Sequence, residues 1–247
     1  MKKEYEVKPI SLLKSLIIFA AAGLLFYVTI KLLVPWLAGL TGSTEYIVWM
    51  FAGSFVLFLP LFITTFLLLR ADGCKMDFHH ISSALNFKRI TKNDVKYLVI
   101  GMIAAVVLCG LIIAGLLLFV DSFTVNSLYS VSPIKVSPLR GNQLWFVLFL
   151  PIFFFFNYMG EEVLWRGYIL PRQSIAKYGK YAVIINALYH CVFHFVFGWK
   201  PLLMMFPIMI LMPYIVSKTK NTWTSVIIHF LIGAPSQVMV ILGIMGH

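Results

Sequence analysis

Acidic side chains are scarce in this chain, with nine Asp and Glu against twenty Lys and Arg over 247 residues. Cysteine is scarcer still. Cys74, Cys109 and Cys191 are scattered and contain no Cys-x-x-Cys pair, which excludes a disulfide framework and a thiolate zinc site. No glycine-rich phosphate loop is present, and no Ser-x-x-Lys pattern supports a rival nucleophile. Internal repeats and low-complexity tracts are also missing.

What the chain has in abundance is apolar side chains. They make up 61% of it, above the roughly 45–50% of soluble domains. Runs of spanning length, about 17–25 residues, read as 12–37, 46–69, 97–120, 146–170, 181–197, 201–216 and 222–244. The reading is an all-α, polytopic transmembrane helical bundle of about seven spans. The sixth is the weakest, because Pro201, Pro207 and Pro213 interrupt it, and a broken or re-entrant helix fits as well. The first follows Lys2, Lys3, Lys8 and Lys14 but exceeds a signal-peptide core of about 7–15 residues and ends on no small-residue cleavage site. It reads as an uncleaved helix.

The net charge of +11 is topological rather than a nucleic-acid signature. With seven alternating spans and a cytoplasmic N-terminus, fifteen Lys and Arg fall on the inside and only Lys135, Arg140 and Lys200 outside. The positive-inside rule then predicts a multi-pass cell-membrane protein, N-terminus in the cytoplasm, with affinity for anionic lipid. The inside loop Arg70 to Lys96 carries apolar residues at mixed spacing, as a segment lying at the interface would. Residues 1–121 read as N-terminal transmembrane helices with this loop, and 143–247 as a catalytic helical bundle. The loop 121–142 between them reads as irregular or extended.

That division follows the ionisable groups. Glu161 and Glu162 succeed an uncharged run, 144–159, and Arg166 follows one turn later. Such groups at membrane depth cost at least ~2.5–3.5 kcal/mol each and mark function. On a helix, Glu162 and Arg166 share a face and can pair, while Glu161 is rotated by about 100°. His190 and His194 are likewise four apart, and His229 stands in the last span. At 1.5 Å per residue, Glu161, His194 and His229 lie roughly 16, 20 and 12 Å from the cytoplasmic edge. Three helices therefore offer ionisable groups at one layer.

A buried glutamate with histidines suits general-base activation of water, and an imidazole suits a developing oxyanion. The same groups also suit a divalent metal such as Zn2+, with Glu161, His194 and His229 as its ligands. The spacing is not that of a His-Glu-x-x-His zinc helix, so the cofactor stays open. Arg166 reads as structural support for Glu162. His190 is evenly balanced between cavity lining and an incidental place. His79 and His80 read as solvated loop residues, and Phe153–Phe156 as packing or lipid-facing surface. Trp36, Trp49, Trp145, Trp199 and Trp223 fall near span ends, as interfacial belt residues do.

Glu161-Glu162-x-x-x-Arg166-Gly167, followed by His194 and then His229, resembles the CPBP family over about residues 146–244. This is the Abi group of intramembrane proteases, with CAAX-type prenyl-protein endopeptidases and bacteriocin-processing or bacteriocin-immunity proteins. The resemblance implies that Glu161 and His194 activate water and that His229 helps form the oxyanion site, with Glu162 oriented by Arg166. The substrate it implies is a membrane-associated peptide or protein. The chain departs from the family pattern twice. His190 stands where the second motif has an aromatic residue, and Gly233 stands where the third often has asparagine. The rival readings are a catalytically silent scaffold or bacteriocin self-immunity factor, and a proton-coupled transporter relaying protons through the same carboxylates.

Overall fold

The computed structural model describes residues 6–124 and 133–244. Lys2, Lys3 and residues 125–132 of the loop 121–142 lie outside them. Helix accounts for all regular structure among the described residues. The long elements are α1 (Leu12–Thr41), α2 (Glu45–Ala71), α4 (Lys92–Phe119), α5 (Gly141–Ser174), α7 (Trp199–Thr219) and α8 (Trp223–Ile241), all long and apolar enough to cross a membrane. Two short helices complete the set, α3 (Phe78–Ala84) and α6 (Ala182–Phe193).

Local chemistry sets the helix ends. Ser11 caps α1 by accepting from the Lys14 amide at 3.1 Å, and Gly42, at φ 67°, turns the chain out of it. Thr91 and Asp94 form a reciprocal capping box at the start of α4, satisfying two amides that the helix itself leaves free. The interrupted sixth run is not broken. α7 continues through Pro207 and Pro213 for 21 residues. The shorter element is instead α6, in the fifth run, with 12 residues and a length of about 18 Å against a hydrocarbon core of ≈ 30 Å.

Hydrogen bonds nevertheless sort the chain into two ends of one bundle. At one end Tyr178 donates to Ile10 O at 2.7 Å, Thr222 to Leu85 O at 2.5 Å, and Asn221 to Asp94 at 3.3 Å. At the other, Lys31 donates to Pro133 O at 3.2 Å and Lys200 to Ser122 Oγ at 2.9 Å. The chain between Tyr178 and Lys200 therefore runs from end to end on α6 and a following tight turn, Phe195–Phe197.

Packing between helices is largely aromatic. Phe19 of α1 stacks on Trp165 of α5, with centroids 4.0 Å apart. Phe26 stacks on Trp49 at 5.7 Å. Inside a bilayer such van der Waals contact, rather than exclusion from water, drives helices together, and each aromatic pair adds about 0.5–1.5 kcal/mol. This contact corrects one expectation. Trp49 is buried at 8% exposure, whereas Trp36, Trp145 and Trp199 stay open as belt residues do. The run Phe153–Phe156 divides, with Phe153 buried and Phe155 exposed. A half-buried polar clasp ties the end of α2 to α5. Arg172 Nη2 and Tyr168 Oη both donate to Asp72 Oδ2 at 2.8 Å.

Candidate active site

α5 is not a regular α-helix where it matters. Wide turns at Phe155–Met159 and Val163–Ile169 flank one ordinary turn, Gly160–Glu162. Such i→i+5 turns recur at functional sites because they re-aim side chains within a continuous helix. Gly160 makes the approach of α2 feasible. A Cβ there would sit 2.5 Å from the Phe58 carbonyl oxygen. Asn186 fixes α6 alongside, donating to Trp165 O at 3.2 Å and to Gln173 Oε1 at 3.0 Å.

The carboxylates of Glu161 and Glu162 are buried, at 1% and 0% exposure, and each has its own partners. Glu162 Oε1 accepts from Arg166 Nη1 at 3.2 Å and faces His229 Nδ1 at 2.9 Å. Glu161 Oε2 faces His190 Nε2 at 3.1 Å and His194 Nε2 at 3.5 Å. Arg166 joins the two sets, because its Nη2 lies 2.9 Å from His190 Nδ1. A guanidinium can only donate. His190 Nδ1 therefore accepts, the ring proton sits on Nε2, and that N–H donates to Glu161. The tautomer is fixed by its partners.

The layer read from the sequence thus divides in two. Glu161 gathers His190 and His194, and Glu162 gathers Arg166 and His229. His190 is the nearer of the two histidines to Glu161. His194 caps α6 at the start of the turn Phe195–Phe197. A cavity of about 390 Å³ opens beside both groups, lined by Glu161, His190, His194 and His229 together with Phe26, Tyr158, Gly233 and the methionines of α7. Tyr158, which the sequence did not single out, is buried at 3% exposure.

A metal fits this centre poorly. The ligand atoms that lie within 4.8 Å of one another belong to Glu161, His190 and His194. His229, expected among the ligands, is not in that group and faces Glu162 through Nδ1. A ligating histidine normally donates its second N–H to a carboxylate, carbonyl or water. His190 faces a guanidinium there, which keeps its proton on the nitrogen that would have to coordinate. That leaves one carboxylate and one imidazole, fewer than the three protein ligands of catalytic zinc sites.

Residues 143–234 match the family model described as Rce1-like, type II CAAX prenyl endopeptidase. The matched stretch holds both glutamates, Arg166, the three cavity histidines and Gly233. The match is consistent with a CPBP-family intramembrane protease and supports, in general terms, a CAAX-protease-like endopeptidase. No curated protein and no solved structure matches the chain.

Proposed function

We propose that this Rce1-like chain hydrolyses a peptide bond of a membrane-associated peptide or protein, using water activated by Glu161 and His194. The supporting observation is the spacing of their atoms. Glu161 Oε2 and His194 Nε2 stand 3.5 Å apart at the cavity wall, close enough to share one water between them. Glu161 accepts a proton from that water as its oxygen attacks the scissile carbonyl carbon. The carbonyl π pair moves onto oxygen. When the tetrahedral intermediate collapses, the proton passes to the departing amine.

The other groups hold this pair in place. His190 donates to Glu161 and so presents its carboxylate in one orientation, while Arg166 fixes the proton of His190 and pairs with Glu162. His229 rests on Glu162 through Nδ1, so its Nε2 offers a proton to an oxyanion only as the imidazolium. The apolar walls, which include Met204, Met205, Met209, Met212 and Phe26, suit a lipid-like or apolar portion of the substrate.

Reconstituted protein offered labelled prenylated CAAX peptides and a library of unmodified membrane peptides tests this. Glu161→Gln and His194→Ala should each reduce kcat by about 10²–10⁴-fold, the usual contribution of a general base. A chelator should leave cleavage unchanged, as the tautomer of His190 requires. Full activity in both variants overturns the assignment. Proton flux into vesicles without any cleavage would favour a transporter instead.

A further inference from the structure

Gly233 and Tyr158 occupy one place in the fold. A Cβ built on Gly233 would lie 2.7 Å from Tyr158 Oη and 2.8 Å from its ring edge. The glycine of α8 is therefore what admits the tyrosine of α5. The ring is seated on both sides, with Phe154 stacked at 5.5 Å and His229 at 4.8 Å between centroids. The residue lines the cavity, and its hydroxyl is buried with no hydrogen-bond partner among the described residues. A buried phenol normally finds a partner, and leaving a hydroxyl unsatisfied is unfavourable.

We infer that Tyr158 donates its Oη–H to the oxygen of the scissile carbonyl and to the oxyanion that forms there, from the space that Gly233 leaves open. The inference rests on the endopeptidase reading and adds to it a group that this reading does not contain. The chemistry of the neighbouring groups points the same way. His190 has its N–H directed at Glu161, and a neutral His229 has its N–H directed at Glu162. Tyr46, also at the cavity wall, donates to Gln237 at 3.1 Å. A phenol donates whatever the proton count of the histidines, so Tyr158 acts in the resting site without a prior protonation. In the step itself water oxygen bonds to carbon, Glu161 takes the water proton, and the carbonyl electron pair on oxygen is held by the Tyr158 bond. The Tyr158 proton stays on Tyr158, and as the pair returns to the carbonyl the C–N bond breaks and Glu161 gives its proton to the departing nitrogen, which leaves as the amine.

Tyr158→Phe keeps the ring and removes only the donor. In full-length reconstituted protein cleaving labelled prenylated CAAX peptides or the membrane-peptide library, kcat should fall about 10²–10³-fold, as for loss of one oxyanion donor. KM and the melting temperature should stay near wild type. Gly233→Ala pushes the hydroxyl aside without deleting it and should lower kcat as well. It provides the readout if the phenylalanine variant fails to fold. If Tyr158→Phe folds and cleaves within about threefold of wild type while Glu161→Gln is inactive, the donor role is overturned and the endopeptidase stands. If wild-type protein cleaves none of these peptides, both are overturned.

Discussion

Arg166 does two things with one fork, holding the charge of Glu162 with Nη1 and the tautomer of His190 with Nη2. Separate substitutions should resolve them. Arg166→Gln leaves Glu162 as a buried, uncompensated carboxylate, and losing one member of such a pair costs about 3–5 kcal/mol. Denaturant unfolding in detergent should register that loss. Arg166→Lys keeps a positive charge but not the planar fork, so it should unfold nearer to wild type while kcat drops at least about tenfold. Asp77 is a milder case at the polar end. Its carboxylate caps α3, accepting from the His80 amide at 3.0 Å and facing His80 Nδ1 at 2.7 Å. The bond with the His80 side chain is the main cause holding this carboxyl below its ordinary range. A carboxyl so lowered stabilises the fold above its unfolded value of about 3.9 and loses that contribution as pH falls through the folded value. Protection of the α3 amides against hydrogen exchange, taken relative to the intrinsic rate at each pH, should therefore fall only in strongly acidic solution.

Between elements, glycines decide how near the helices come. Gly23 brings α1 against α6, where a Cβ would meet Val192 O at 2.7 Å, and Gly160 brings α2 against α5. Gly160→Ala forces the α2–α5 crossing apart next to Glu161. It should destabilise by about 1–3 kcal/mol, as overpacking does, and impair cleavage together with the melting temperature. The pairing of Glu162 with Arg166 was legible in the sequence because both lie on one helix, and i,i+4 proximity survives the wide turn. The nearness of His194 to Glu161 was legible from depth alone. The place of His190 was not, since its preference for Glu161 depends on which way α6 faces and on the reach of Arg166 from α5. Tyr158 was hidden among eleven tyrosines. The missing side chain at Gly233 was visible, but its meaning needed the pairing of α5 with α8. The prolines of 201–216 misled for a physical reason. Tightly packed neighbours carry α7 through Pro207 and Pro213, and sequence alone does not report neighbours.

For the molecule as a whole, charge and hydrogen bonding agree on which segments share an end. Lys8, Arg70, Lys88, Arg172, Lys180 and Lys220 belong to the segments brought together around Ile10, Asp72, Asn221 and Tyr178, whereas Lys135, Arg140 and Lys200 belong to the opposite end. The positive-inside rule then predicts a cytoplasmic position for the first group. With the native cysteines replaced by serine, a thiol at position 140 should react with a membrane-impermeant reagent on intact cells. One at position 8 should react only after the cells are opened. The opposite pattern would invert the orientation.

Phe26 of the first helix lies edge-on against His194 at 5.5 Å, and Phe19 lies against Trp165. Both come from outside the stretch that matches the family. A gene fragment encoding only residues 143–234 would therefore leave the cavity beside Glu161 and His194 without this flank and open to acyl chains.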